Sequence, residues 1–366
     1  MTPDLRFIFN QFSAQGIFRE GMPYGSGHIN DTFKIITKGS GINEYILQRI
    51  NHYVFKDIPG LQHNIEYVTS HIRSKLEKIP GANPDRQTLT LINTRKGKTY
   101  FFHPETGYWR CYIFISNHKS YNRVSHASQA FEAGHTFGQF EKWLSDLDPA
   151  LLTETIPGFH DMQLRLRQFS EALQSDSVNR AKDIPEEIAF VHSHGQDMTR
   201  IQRLGSEGKI PLRITHNDTK FNNVLLDEYD HGLCVIDLDT VMPGYIHYDF
   251  GDAIRTSANG ADEDEQDLKK VTFRIDFFEA FAKGFLRETV AFLSEEEVRH
   301  LAFSAQVMTF IIGIRFLTDH LNGDIYFKIH RPNHNLQRAR VQFQLIREME
   351  KKRDRMEEII HETSAG

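Results

Sequence analysis

Apolar residues recur at two periods in this chain, and the change of period divides it. Residues 1 to about 15 carry Leu5, Ile8, Phe9 and Phe12 at helical spacing. Alternation follows: 33–37 and 44–50 read as strands on either side of a polar turn. A helix is predicted over 60–79, stopped by Pro80-Gly81. Segments 89–93, 99–103 and 109–115 read as three further strands. After Asn117 the spacing becomes helical, over 128–144, 159–173, 185–204, 264–286, 294–321 and 336–361. Within that region two short apolar runs, 223–227 and 233–237, flank the polar turn 228–232 and predict a hairpin. The expected fold class is α+β, with a sheet-rich lobe over 1–116 and a mainly helical lobe over 117–366.

Composition narrows the class. The chain has 366 residues, 39% hydrophobic and 25% charged, which suits two well-packed lobes. Its net charge is −6, with no long basic block, so a nucleic-acid partner is not expected. A site that handles phosphate must therefore create its positive field locally. The two cysteines, Cys111 and Cys234, lie in apolar strand-like runs and suggest small buried side chains, not a disulfide framework or zinc site. The first residues lack the basic and apolar regions of a signal peptide, and no stretch is expected to span a membrane. A reducing cytoplasm is the expected compartment. The pattern specifies no oligomeric state.

The chemistry concentrates in His216-Asn217-Asp218-Thr219-Lys220-Phe221-Asn222-Asn223. Phosphoryl transfer needs an acid beside the acceptor hydroxyl, plus an amide oxygen and a carboxylate to hold Mg²⁺ on nucleotide phosphates. His216, Asp218 and Asn223 fit the spacing H-x-D-x-x-x-x-N, which sets the acid and the amide on one loop. Asp237 then ends the second run of the hairpin, where a metal-binding Asp belongs; Asn223 and Asp237 both offer the hard oxygens that Mg²⁺ prefers. Asp218 is the candidate catalytic base, and His216 is read as holding the loop. Lys220 is within reach of a phosphate, its role open. Asp239, two residues beyond Asp237, reads either as a contact to metal or sugar or as a turn residue.

On the nucleotide side, Gly25-Ser26-Gly27 forms a turn whose backbone N–H groups suit phosphates, or is simply a hairpin turn. The strand that should present a cation to the phosphates offers Gln48 and Arg49 in place of a lysine, and alternation lets only one of them face a ligand; Glu66 is the candidate partner on the next helix. Segment 109–115 is the candidate strand beside the adenine. The acidic run 262–265 is read as a helix N-terminus. Asp249 and Asp252 are read as structural.

Taken together, Tyr24-Gly25-Ser26-Gly27-His28-Ile29-Asn30, Tyr45-Ile46-Leu47-Gln48, Thr215-His216-Asn217-Asp218-Thr219-Lys220, Ile236 through Gly244, Asp249-Phe250-Gly251-Asp252, Arg315-Phe316-Leu317 and Gly323 through Phe327 resemble the aminoglycoside phosphotransferase and choline kinase superfamily. Within it the chain is most similar to the N-acetylhexosamine 1-kinases. The resemblance implies a protein-kinase-like two-lobed fold. It also implies ATP and Mg²⁺ as cofactors and the anomeric hydroxyl of N-acetylglucosamine or N-acetylgalactosamine as acceptor. It assigns His28, Asn30, Arg315 and Tyr326 to the sugar. The alternatives are a kinase of the same fold acting on an aminoglycoside, choline or homoserine, and a non-catalytic protein that binds sugar or nucleotide.

Overall fold

Five antiparallel strands form the sheet of the N-terminal region, in the order β1-β2-β3-β5-β4. They are β1 Ile17–Pro23, β2 Asp31–Lys38, β3 Glu44–Ile50, β4 Phe101–His103 and β5 Gly107–Ile113. The structure is a computed structural model that describes residues 3–25 and 29–365. Alternation puts Tyr45 and Leu47 of β3 and Trp109 and Cys111 of β5 on one face, where they pack with Ile8, Phe9, Phe12 and Ile35. The opposite face carries Gln48 and Arg110, cross-strand partners in the β3–β5 register.

The N-terminal helix is shorter than the periodicity predicts. Helix α1 spans Leu5–Phe9, capped by Asp4, and the chain then turns into β1. Helix α2, Ile58–Leu76, buries Ile58, Leu61, Ile65, Val68, Ile72 and Leu76 along one stripe, starts on the Asp57 cap and stops short of Pro80. Segment 89–93 is not a ladder strand. It follows the short helix α3, Pro84–Gln87, and runs beside β5 through the Leu91–Tyr112 bridge and the bond from Ile92 N to the Cys111 carbonyl.

The chain folds as two units. The first takes 1–120, 146–157 and 224–243; the second takes 121–145, 158–223 and 244–366. The hairpin strands β7 (Val224–Leu226) and β8 (Gly232–Val235) belong to the first unit and pair antiparallel. They follow β6, Arg213–Thr215, and precede β9, Met242–Gly244. Both cysteines are buried and free.

The second unit is helical: α4 Ala127–Leu144, α5 Met162–Ser175, α6 Pro185–Met198, α7 Arg200–Ser206, α8 Ile246–Ser257, α9 Ile275–Thr289, α10 Glu295–Leu321, α11 His334–Glu350 and α12 Arg353–Ala365. Helices α4 and α9 pack backbone to backbone. A Cβ on Gly134 would stand 2.2 Å from the Phe281 carbonyl oxygen, and one on Gly284 would stand 2.1 Å from that of Phe131, so neither position admits a side chain. Helix α10 starts in a capping box formed by Ser294 and Glu297. It runs through a core that includes Phe169, Phe190, Val307, Met308, Ile314 and Phe343.

Three expectations are corrected in this unit. The helix predicted over 264–286 begins only at Ile275, and α8 precedes it. The run 262–265 is not a helix start. It is a loop neutralised by arginines: Arg123 pairs with Asp262, Arg255 with Glu263, and Arg331 with Asp264, to which the His334 ring also hydrogen-bonds. Helix α10 is long and apolar enough to cross a membrane by length and composition, contrary to expectation, but most of its apolar window is buried inside the fold.

Candidate active site

The loop after β6 is held from beneath by Asp249 on α8. Its carboxylate accepts the backbone N–H of His216 (2.7 Å) and of Asn217 (2.6 Å), and its carbonyl accepts the Thr219 hydroxyl at 2.6 Å. Asn217 sits at φ 64, a left-handed conformation that costs a non-glycine residue energy and needs such a hold. Gly244 lets the loop lie close, because a Cβ there would meet Thr215 Oγ1 at 2.2 Å and Asn217 Oδ1 at 2.9 Å. His216 is fully buried against Phe137 and Phe140, and its Nδ1 accepts the Asp218 backbone N–H at 3.2 Å. The histidine thus shapes the loop around Asp218.

Beneath this loop Glu141 of α4 is wholly buried beside Asp249. Burial, followed by the Asp249 charge and the hydrogen bond between the two, holds the Glu141 carboxyl well above the usual glutamate range. It therefore keeps its proton when folded and donates it to Asp249. As pH rises through the ordinary glutamate range the unfolded chain releases this proton and the folded chain does not, so stability falls with pH up to the raised pKa. Glu141→Gln is expected to flatten that slope in urea denaturation run from mildly acidic to mildly alkaline pH; an unchanged slope would assign the pH dependence to other groups.

Asp218 is part-buried, and Lys220 Nζ lies 3.0 Å from its Oδ2. Burial opposes the charged carboxylate, but Lys220, His216 and Arg255 outweigh it and hold the pKa below the ordinary Asp value. Asn223 donates Nδ2 to the Asp218 carbonyl at 2.8 Å, a bond that directs its amide oxygen away from the loop. That oxygen is of the type Mg²⁺ takes, as is a carboxylate oxygen of Asp237, so the donor chemistry fits the ion. Among the described residues no group of three or more His, Cys, Asp or Glu forms a metal cluster. Mg²⁺ on a nucleotide needs none, since phosphates and water complete its shell.

Arg315 on α10 lies 5.4 Å from the Phe159 ring, 5.5 Å from Phe327 and 5.9 Å from Tyr326. It makes no ion pair with Asp319, which instead accepts the backbone N–H groups of Ile325, Tyr326 and Phe327 and so ties down the loop after α10. Tyr326 is 67% exposed on that loop. A second guanidinium, Arg165, donates to the Phe159 and Gly158 carbonyls and to Gln168. Burial and then the neighbouring Arg315 push Arg165 down to about 10. Arg315 is lowered too, mainly by burial, while Tyr326 and Asp218 favour its charge. His160, between Phe159 and Tyr248, bonds the Asn217 carbonyl through Nε2, and burial pushes it down to about 3, so it is neutral. Sequence reasoning missed Phe159, His160 and Arg165, which precede or begin α5 and carry no motif.

In the first unit Asp237 follows β8 at φ 62 and ψ 55, and Leu238–Thr240 makes a single 3-10 turn. The Asp239 carboxylate is buried and gripped by Arg110, with Asn30 Nδ2 also donating to it. The structure therefore brings Asn30, Asp239 and Gln48 into one network through Arg110, a residue the sequence reading passed over. Arg49 stays apart, in an ion pair with Asp31. Glu66 is exposed on α2 and is not the partner of either. Gly25 lies in an open turn at φ 77. Ser26, Gly27 and His28 lie outside the described residues.

Known proteins fit this arrangement. A family model described as "Phosphotransferase enzyme family" matches residues 20–293. Among solved structures, an aminoglycoside phosphotransferase from Alicyclobacillus acidocaldarius is similar at a TM-score of 0.62 and 12% identity, covering 98% of each chain. A choline kinase from Cryptosporidium parvum matches at 0.60 and 12% identity, over 95% of this chain and 93% of its own. A microcompartment-associated aminopropanol kinase matches at 0.57 and 12% identity, over 96% and 97%. The sheet-rich and helical lobes are thus those of the protein-kinase-like fold.

Proposed function

The chain belongs to the phosphotransferase enzyme family, and on that premise we propose that it transfers the γ-phosphoryl group of ATP to the anomeric hydroxyl of an N-acetylhexosamine. Asp218 orients the sugar hydroxyl and takes its proton on a carboxylate oxygen as the new P–O bond forms and the bond to ADP breaks. Its lowered pKa keeps it ionised at neutral pH, ready to accept. Asn223 and Asp237 would hold Mg²⁺, which would supply neutralisation of the nucleotide phosphates. Gly25, Ser26, Gly27, Gln48 and Arg49 are the proposed nucleotide contacts. His28, Asn30, Asp239, Arg315 and Tyr326 are the proposed sugar contacts, of which Asp239 acts through Asn30 because its own carboxylate is taken up by Arg110.

One observation supports a neutral, hydroxyl-rich acceptor over a cationic one. Arg315 is within electrostatic range of Asp218, and Arg165 shares Phe159 with it. Among the described residues no carboxylate closes an ion pair with either guanidinium. Aminoglycosides, choline and aminopropanol, the acceptors named for the structural relatives, carry protonated amines or a quaternary ammonium that two such cations would repel. A sugar instead brings hydroxyl and amide oxygens as hydrogen-bond acceptors and faces for the aromatic rings.

The test is a panel of N-acetylglucosamine, N-acetylgalactosamine, glucose, galactose, choline and kanamycin with Mg-ATP, read by ADP release and phosphorus NMR of the product. An anomeric sugar phosphate formed only from the N-acetylated hexosamines is the expected result. Turnover of choline or kanamycin alone would keep the family and replace the acceptor.

A further inference from the structure

Strand β5 holds one charged side chain, Arg110, and it is 1% exposed. Its Nη1 and Nη2 grip the two carboxylate oxygens of Asp239, and its Nε donates to Gln48 Oε1 at 3.0 Å. Gln48 passes the connection to Thr32 Oγ1 at 2.9 Å. Asp239 is held further by Asn30 through its carboxylate and by the Thr155 hydroxyl through its carbonyl, at 2.9 Å. Asn30 is itself fixed by the Asn51 backbone N–H at 2.9 Å. Arg110 of β5 and Asn30 and Thr155 of two connecting segments thus meet on the turn Leu238–Thr240, with Gln48 of β3 and Thr32 of β2 supporting Arg110.

A buried ion pair of this kind adds little net stability, because desolvating two charges offsets most of their attraction. Its place in the fold suggests another use. Asp237 immediately precedes the turn and sits in a left-handed conformation that a non-glycine residue keeps only when its surroundings hold it. Asp237 is also within electrostatic range of Arg110 and of Tyr112, whose ring lies 5.3 Å from the guanidinium.

We propose that Arg110 is a positioning residue of phosphoryl transfer: by clamping Asp239 it fixes the turn that presents Asp237, and so sets the affinity for the metal–nucleotide complex. The proposal rests on the phosphotransferase reading but not on the identity of the sugar.

Three variants test this: Arg110→Met, the neutral pair Arg110→Met/Asp239→Asn, and Arg110→Lys, which keeps the charge but loses the two-pronged grip. Each is checked for a cooperative melt. Each is then titrated with ADP in the presence of Mn²⁺, read by electron paramagnetic resonance of the bound ion, and with ADP alone. Expected is a loss of Mn–ADP affinity of about tenfold or more in the two methionine variants and a smaller loss in the lysine variant, with metal-free ADP affinity falling less than Mn–ADP affinity in each. Wild-type Mn–ADP affinity in a folded neutral pair or lysine variant would overturn the proposal. So would failure of all three to fold, which would make Arg110 a residue of the core alone. A wild-type protein that phosphorylates no sugar would count against the N-acetylhexosamine acceptor, while the Mn–ADP titration would still decide the role of Arg110.

Discussion

Asp218→Ala is expected to lower kcat by about 10²–10⁴-fold, the range for loss of a positioned general base, while ADP binding stays within twofold of wild type by about the same measure of precision. The structure gives the reasons for both halves. The Asp218 side chain is part-exposed and tethered by Lys220, so removing it opens no core cavity. The loop keeps its shape because its supports are backbone bonds to Asp249 and His216, which the substitution leaves in place. Asp218→Asn preserves the volume and should be nearly as inactive. Near-normal turnover in both variants, measured by coupled ADP release, would remove Asp218 from the reaction and leave the motif as a turn.

Asp249→Ala should give the largest loss of stability. Two buried backbone N–H groups, those of His216 and Asn217, would lose their acceptor, and the proton of Glu141 would lose its partner. Each unsatisfied buried group costs about 1–3 kcal/mol, so the three together cost about 3–9 kcal/mol. That corresponds to a fall in Tm of roughly 10 °C or more for a unit of this size. Asp249→Asn should be milder, because one side-chain oxygen remains to accept. The variant should also lose kcat, since Asn217 is released from its strained conformation. A calorimetric Tm within about 2 °C of wild type, less than the loss of a single such bond predicts, would show that water or a rearranged loop replaces the carboxylate.

These two residues also show how legible the site was. Asp218, Asn223 and Asp237 stand out as candidates in the sequence because the chemistry they would serve prescribes a local spacing and apolar runs flank them. Asp249 was legible only as a structural residue, because its partners lie 32 and 33 residues away and no spacing rule links them. Arg110 was missed for the same reason, as Asp239 is 129 residues distant. A signal existed: an arginine in the middle of Trp109-Arg110-Cys111-Tyr112 is either exposed or paired, and an apolar run leaves little room for exposure.

The fold follows the same division. Helix α2 was legible because it buries one clean stripe. Helix α8 was not, because its polar residues Asp249, Asp252 and Arg255 are themselves buried and paired inside the fold, so its polar side marks no solvent face. Strand β1 was hidden by the reverse condition. It is an edge strand with no buried residue, so nothing in Ile17–Pro23 alternates. The loop 262–265 misled because acids at a helix start and acids gathered by distant arginines look alike in sequence.

The burial of α10 has a consequence for the chain as it is made. The helix ends at Leu321, but α11 and α12, which cover part of it, end only at Glu350 and Ala365. At ribosomal speed those last residues take roughly 2–9 s to add. Throughout that interval a 27-residue apolar helix is complete in sequence and uncovered on one side. Until α11 and α12 are made, only the helices that precede α10, chiefly α8 and α5, can cover its apolar surface.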